Sequence, residues 1–284
     1  MDALNGLCNS LFNIVLYPIE GLGALVVLTI ISLIFMPFSM LFFKRFSSQK
    51  GIAEAKGQIK GHMIAIRIYQ DDLLVVAKSV VMVLFYNFKY LFLNFAPFLP
   101  LMAPFVIVVA QLVIRFGFAP IPITEIELAG QGTMIEVEFS EEHAADASKL
   151  SINLPEGLTA VSPLVRSAKD GLAFQEVVAS SAGQWDVEFV LAGGETVTKR
   201  VVTGTMEDVE QLMQPERVKS FWMAWLWPAE QTFGSDSSFE RIVIAYPDRE
   251  LAWMWDGAGG VFLMFLLVAF VIGGAAIKIF DIQI

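Results

Sequence analysis

The sequence predicts an α+β membrane protein of about three transmembrane helices, with a β-sandwich carried between the second and the third. Three observations predict it. Apolar residues make up 56% of the 284 positions and the mean hydropathy is +0.62, above the roughly 45–50% apolar content of soluble domains. They are concentrated in long uncharged blocks, as membrane spans require. Between Pro120 and Gly204 the texture changes to short alternating runs separated by turn residues, which is the pattern of strands.

The elements follow in order. Leu4, Leu7, Leu11, Ile14 and Leu16 recur at helical spacing before Pro18, with Asn5, Asn9 and Asn13 between them. This predicts a short amphipathic helix in the membrane interface. Gly21 to Phe43 then runs 23 residues without a charge and ends at Lys44-Arg45, long enough to cross about 30 Å of hydrocarbon as the first span. Asp2 and Glu20 precede it and the basic pair follows, so the positive-inside rule places the N-terminus outside.

From Ile52 a heptad appears. Ile52, Ile59, Ile66, Leu73 and Val80 hold one position, and Ala55, His62, Tyr69 and Val76 lie three residues further on, with Lys56, Lys60, Arg67 and Asp71 on other faces. The expectation is one long cytosolic heptad helix, packed as a coiled-coil-like hairpin or lying along the membrane surface. Ser79 to Phe118 is an apolar tract of 40 residues, which as one helix would measure about 60 Å, twice the hydrocarbon thickness. It must be divided, and Pro97, Pro100 and Pro104 are its natural break points. That leaves a second span over Ala96 to Phe116, with Arg115 near the outer interface. The stretch Ser79 to Asn94 is either interfacial or part of that span.

Seven strand candidates follow: Thr124–Leu128, Thr133–Phe139, Leu150–Leu154, Leu158–Val161, Leu172–Val178, Trp185–Leu191 and Thr196–Val202. Their size and rhythm are those of an immunoglobulin-like sandwich lacking the Cys…Trp…Cys signature. Met206 to Gln231 returns to a helical pattern, and Ile242, Ile244 and Tyr246 offer one more strand. Trp222, Trp225, Trp227, Trp253 and Trp255 read as interfacial anchors. Gly259 to Ile277 is the third span, ending at Lys278 inside, with Ala269 and Gly273 as a small-residue packing face. The expected segments are 1–118 (interfacial helix, first span, cytosolic helix and second span), 119–205 (extracytoplasmic sandwich), 206–258 (Trp-rich interfacial segment) and 259–284 (third span and cytosolic C-terminus).

Charge is divided unevenly. Seven Lys/Arg face three acids between Lys44 and Lys78, whereas nine face 23 acids between Phe118 and Gly257. The first stretch reads as cytoplasmic and the second as extracytoplasmic, in a cell (inner or plasma) membrane. Cys8 is the single cysteine, which excludes an intrachain disulfide and a cysteine zinc site, and no lipoprotein or cleavable signal pattern precedes it. His62 and His143 fall on opposite sides of the membrane in this topology and cannot share a metal. Glu136, Glu138, Glu141 and Glu142 read as a solvated face rather than a calcium site. Gly257-Ala258-Gly259-Gly260 lacks the residues of a phosphate loop, and neither Gly-x-Ser-x-Gly nor an intramembrane Ser/His or Asp/Asp pair is present. The expectations are therefore no enzyme activity, no cofactor, no metal and no nucleic acid. Lys89 and Arg115, the ionisable groups nearest the second span, read as interfacial anchors.

The layout of an outward N-terminus, an interfacial helix, a span ending at Phe43-Lys44-Arg45, a basic helix over Lys56–Lys78 and two further spans resembles the Oxa/YidC/Alb insertase superfamily. Its three-span branch is the nearest, which includes archaeal YidC-like proteins and the insertase subunit of the endoplasmic reticulum membrane complex. The resemblance covers Leu4–Phe118 and Gly259–Ile284. It implies an insertase-like or membrane-chaperone-like protein with a hydrophilic cytosolic groove, whose nascent-chain clients would meet Lys44, Arg45, Lys56, Lys60 and Arg67. Met36, Met40 and Met63 are compatible with an adaptable client surface. The alternative is a non-catalytic membrane-anchored binding or assembly module whose β-domain meets an envelope partner. A lipid-facing first span would favour the module, and a cytosol-open groove the insertase. The lipid bilayer is a partner in both.

Overall fold

The computed structural model describes residues 2–124, 130, 132–206, 212–252 and 255–280. Among them the helices are α1 (Asp2–Leu16), α2 (Ala24–Phe46), α3 (Gln49–Ile68), α4 (Leu73–Phe95), α5 (Phe98–Phe116) and α6 (Gly257–Phe280). The strands are β1 (Thr133–Phe139), β2 (Leu150–Asn153), β3 (Leu158–Ala160), β4 (Val165–Ser167), β5 (Leu172–Ala179), β6 (Gly183–Leu191), β7 (Thr196–Thr203), β8 (Glu216–Val218), β9 (Phe239–Ile244), β10 (Glu250–Ala252) and β11 (Trp255–Asp256). Among the described residues, three helical tracts are long and apolar enough to cross a membrane: Ala24–Phe46, Leu73–Phe116 and Gly257–Gly274. The chain divides into two compact units, Met1–Leu28 with Val106–Met264 and Thr29–Phe105 with Phe265–Ile284.

The second unit is helical. Its spans close on an aromatic centre: Phe35 lies 6.3 Å from Phe105 and 5.8 Å from Phe265, and Phe105 lies 6.0 Å from Phe265, centroid to centroid. Ala269 is buried, and a Cβ placed on Gly273 would stand 2.9 Å from Met36 Cε. The small-residue face thus admits methionine side chains from the first span. Phe43 packs on Phe98 at 5.3 Å. The other side of α2 is apolar and exposed, at Leu33, Ile34, Phe38 and Leu41.

The heptad helix is not continuous. Its hydrogen bonding stops at Tyr69, and Asp72 caps a new helix by accepting from the amides of Leu74 (3.1 Å) and Val75 (3.2 Å). An Asp at this position satisfies orphan amides at a helix start and so competes with continuation. The chain reverses, and α3 pairs antiparallel with α4: His62 stacks on Tyr86 (5.9 Å) and Lys56 lies over the Tyr90 ring (5.4 Å). A Cβ on Gly51 would fall 3.1 Å from Leu93 Cδ1, so that glycine lets the two helices close. Ile52, Ala55, Ile59, His62 and Ile66 keep their place at the seam, but Leu73 and Val80 turn outward; Val76, Ser79, Val83, Tyr86, Tyr90 and Leu93 form the seam in their stead. Of the three expected prolines, Pro97 alone separates helices. Pro100 falls in the first turn of α5, where its missing donor is an orphan anyway, and Pro104 sits inside the helix.

Among the described residues, the β-rich domain in the other unit has two main antiparallel sheets, besides the two-stranded β10-β11 pair. One runs β3-β5-β1-β9-β8, with β4 on β5, and the other runs β2-β6-β7. Alternation sends Ile135, Val137 and Phe139 of β1, Val187 and Phe189 of β6, and Phe239, Ile242 and Ile244 of β9 into one shared core. The expected strands from Thr133 onward each overlap an observed one, while Thr124–Leu128 lies mostly outside the described residues. The helical pattern of Met206–Gln231 is not realised among the described residues. Glu216–Val218 is instead a strand that pairs with β9, and only the single 3-10 turn Met223–Trp225 is helical. The sheet therefore takes β8 and β9 from the segment read as Trp-rich and interfacial. At the base of the domain Phe118 bridges Asp248, and Ala119 donates to the Pro247 carbonyl at 2.9 Å.

Trp185 illustrates how the edge of this core is sealed. Its ring covers Gly157, where any Cβ would fall inside the indole, and its Nε1 donates to Thr203 Oγ1 at 2.9 Å. Trp185→Ala should cost about 3 kcal/mol, the low end of the range for Trp truncation because the ring is only half-buried. Urea titration followed by circular dichroism will measure it; a loss below about 1 kcal/mol would place the indole outside the cooperative core.

Candidate functional site

Among the described residues, two polar surfaces and one buried charge cluster stand out. Lys44 and Arg45 end α2 and are exposed, as are Lys60 and Arg67 of α3. Lys56 differs from the other four expected contact residues because it turns into the seam over Tyr90. Lys89 lies 5.8 Å from the Tyr86 centroid. Each ammonium thus rests near an aromatic ring, whose face is negative. Tyr86 and Tyr90 stand four residues apart on one helical face, and that spacing was the available signal for this cradle.

The second surface belongs to α1. Asn5 Nδ2 donates to the Ala224 carbonyl (3.2 Å) and Asn9 Nδ2 to the Pro228 carbonyl (2.8 Å). Gln111 Nε2 donates to Asn9 Oδ1, and Arg115 Nη2 donates to Asn13 Oδ1 (2.6 Å). Gln111 is fully buried within a spanning helix, so these partners satisfy an amide that lipid could not. The polar stripe of α1 is turned into the protein, whereas Leu4, Leu7, Leu11 and Ile14 are left 42–72% exposed. Asn5 thereby ties α1 to the turn that presents Phe221, Trp222 and Leu226, all exposed. Of the expected anchors, Trp222 is 77% exposed, Trp225 is half-buried and Trp227 packs 6.1 Å from Phe118. Residue 253 and the side chain of Trp255 lie outside the described residues.

The buried cluster escaped the sequence reading. Lys199 on β7 is wholly buried and hydrogen-bonded to Glu230, itself 10% exposed. Burial pulls the Lys199 ammonium below its ordinary range, and the Glu230 carboxylate opposes that pull. The signal was the strand phase, since Lys199 alternates with Val197 and Val201 on the inward side. Nearby, Arg241 of β9 reaches Glu138 (3.0 Å), Glu136 (3.6 Å) and Glu216 (3.7 Å). The glutamates of β1 are therefore partners of one guanidinium rather than a purely solvated face. Burial pushes the Glu216 carboxyl upward, and Arg241 pulls it back.

His62 lies in the hairpin seam, while His143 is beside Asp146 at 3.2 Å in the β-domain. Among the described residues no three His, Cys, Asp or Glu side chains are grouped to hold a metal ion. A hollow of about 620 Å³, open to solvent, is lined by residues that include Glu141, Glu142, His143, Lys219 and Asp236. No family model matches the chain, and no curated protein or solved structure is significantly similar to it.

Proposed function

We propose that the protein is a non-catalytic, membrane-anchored binding or assembly module of the cell envelope, with its N-terminus and β-domain outside and its C-terminus in the cytoplasm. The observation that carries this reading is the Phe35–Phe105–Phe265 centre. Spans packed on aromatic rings, with the outer face of the first span apolar, make an anchor; a client groove would need polar lining. The β-domain is then the working part. Its stretch from Phe118 to Gly257 carries nine Lys/Arg against 23 acids, so the fitting partner presents a basic surface and binds in a salt-dependent way. The two-sheet antiparallel plan supports an immunoglobulin-like scaffold. The central position of β1, between β5 and β9, departs from the edge position of the first strand in that fold.

An insertase-like or membrane-chaperone-like protein is the second reading, favoured by the exposed basic end of α2 and the cationic face of α3. Such a surface draws acidic flanks of nascent membrane proteins. One reconstitution separates the two. Vesicles containing the protein should insert nascent membrane proteins no faster than empty vesicles, and Lys44→Glu with Arg45→Glu should change nothing. Faster insertion that this double substitution slows, with orientation verified because the same charges set topology, would replace the first reading by the second.

A further inference from the structure

Helix α4 is amphipathic in the sense opposite to that of a helix in water. Its face toward α3 carries Ser79, Tyr86, Lys89, Tyr90 and Asn94, all buried or half-buried. Its open face carries Leu84, Phe85, Phe88, Leu91, Phe92 and Phe95, each 46–72% exposed. Around the tip of the hairpin Ile68, Tyr69, Leu73 and Leu74 are exposed as well. Such an extended apolar surface marks an interaction site.

Continuity identifies the occupant. Phe85, Phe88, Phe92, Phe95, Leu99 and Met102 follow in steps of three and four residues, and every one is exposed. The last two belong to α5, inside a tract long and apolar enough to cross the membrane, so the row that faces lipid on α5 runs unbroken onto α4. A straight tract of 44 residues would measure about 66 Å, against about 30 Å of hydrocarbon. Part of the row therefore either leaves the bilayer or stays with one leaflet. Charge decides between them: between Lys44 and Lys89 there are eight Lys/Arg and three acids, the balance of a segment held at an anionic surface. Lys60 and Arg67 lie exposed on α3.

We propose that the α3–α4 hairpin lies along the membrane, with the open face of α4 seated among the acyl chains of an anionic leaflet and α3 covering it on the water side. Lys78, exposed near the start of α4, extends its ammonium group to the headgroups while its stem stays apolar. The arrangement holds for either functional reading. On this proposal the stretch Ser79–Asn94 is interfacial.

The test uses the full chain with Cys8→Ser, spin-labelled at Phe88→Cys or Lys60→Cys, in nanodiscs of phosphatidylcholine with and without phosphatidylglycerol. The Phe88 label should collide with oxygen and be sheltered from an aqueous nickel chelate, and the Lys60 label should do the reverse. Phosphatidylglycerol should raise the oxygen-to-nickel ratio at Phe88 severalfold, and high salt should cancel that increase. Leu84→Cys, on the same face, gives an independent second reading. A Phe88 label as open to nickel as the Lys60 label would place the hairpin in water, and a label sheltered from both reagents would place a second copy or another protein on the face; either overturns the proposal. A ratio indifferent to phosphatidylglycerol overturns its anionic part.

Discussion

The segment 119–205, expressed alone, should not fold, whereas 118–249 should give a soluble, cooperatively melting β-domain. β9 is the partner of β1 on the side away from β5, so the shorter piece leaves one whole edge of a central strand unpaired. It also removes Phe239, Ile242, Ile244 and Tyr246 from the core. At about 1.5–3 kcal/mol for each buried side chain, the loss is about 6–12 kcal/mol, comparable with the 5–15 kcal/mol that holds a whole domain together. Tyr246 adds a specific bond, its hydroxyl accepting from the Val202 amide at 2.9 Å across the two sheets. Circular dichroism and a thermal melt of both fragments check the result; a cooperative transition in 119–205 would mean that β1 and β5 suffice without β9.

Lys199→Met should destabilise the β-domain by about 3–5 kcal/mol, because it leaves the Glu230 carboxylate buried with no counter-charge. Lys199→Met with Glu230→Leu should recover most of that loss, since apolar replacement of a buried pair is often neutral or better. Guanidinium titration of 118–249, wild type and both variants, provides the comparison. Equal losses in the single and double variants would show that packing of the lysine stem, rather than charge pairing, is what matters. The pair also fixes the turn carrying Trp222, Trp225 and Trp227, because Glu230 lies just beyond it in sequence. Trp225 fluorescence, reporting from a half-buried site, should shift in the single variant before the sheets melt.

Spans and strands were legible in the sequence to different degrees, for physical reasons. An uncharged run is a length signal, and α2, α5 and α6 each fall within a few residues of the run that announced them. Most strands from Thr133 to Thr203 showed because apolar residues alternate with polar ones, whereas β4, whose Val165 and Arg166 are both exposed, left no such trace. β8 did not, since three residues are too few for alternation to register and Val209, Leu212 and Met213 nearby mimic a helix. The heptad was real but its continuity was not, and Asp71-Asp72 held the stop signal within an otherwise periodic run. Lys56 was expected at a contact surface, and its turn toward Tyr90 depends on where α4 packs after the reversal, 34 residues further along the chain. Long-range polar contacts such as Asn9 with Pro228 leave no periodic trace at all.

Those contacts of α1 impose an order of events on biogenesis. Asn5 and Asn9 bond to carbonyls 219 residues further along the chain, and Asp2 accepts from Thr232, 230 residues away. At about 5–20 residues per second, the first helix made waits on the order of 10–40 s for the segment that satisfies its asparagines. Gln111 and Arg115 can bond Asn9 Oδ1 and Asn13 Oδ1 about halfway through that interval, but the Asn5 and Asn9 amides have only water or headgroups to donate to until its end, which holds α1 at the surface. Docking of the N-terminus is thus a late step of assembly, and a ribosome-bound chain shorter than about 232 residues carries this helix without its full set of contacts.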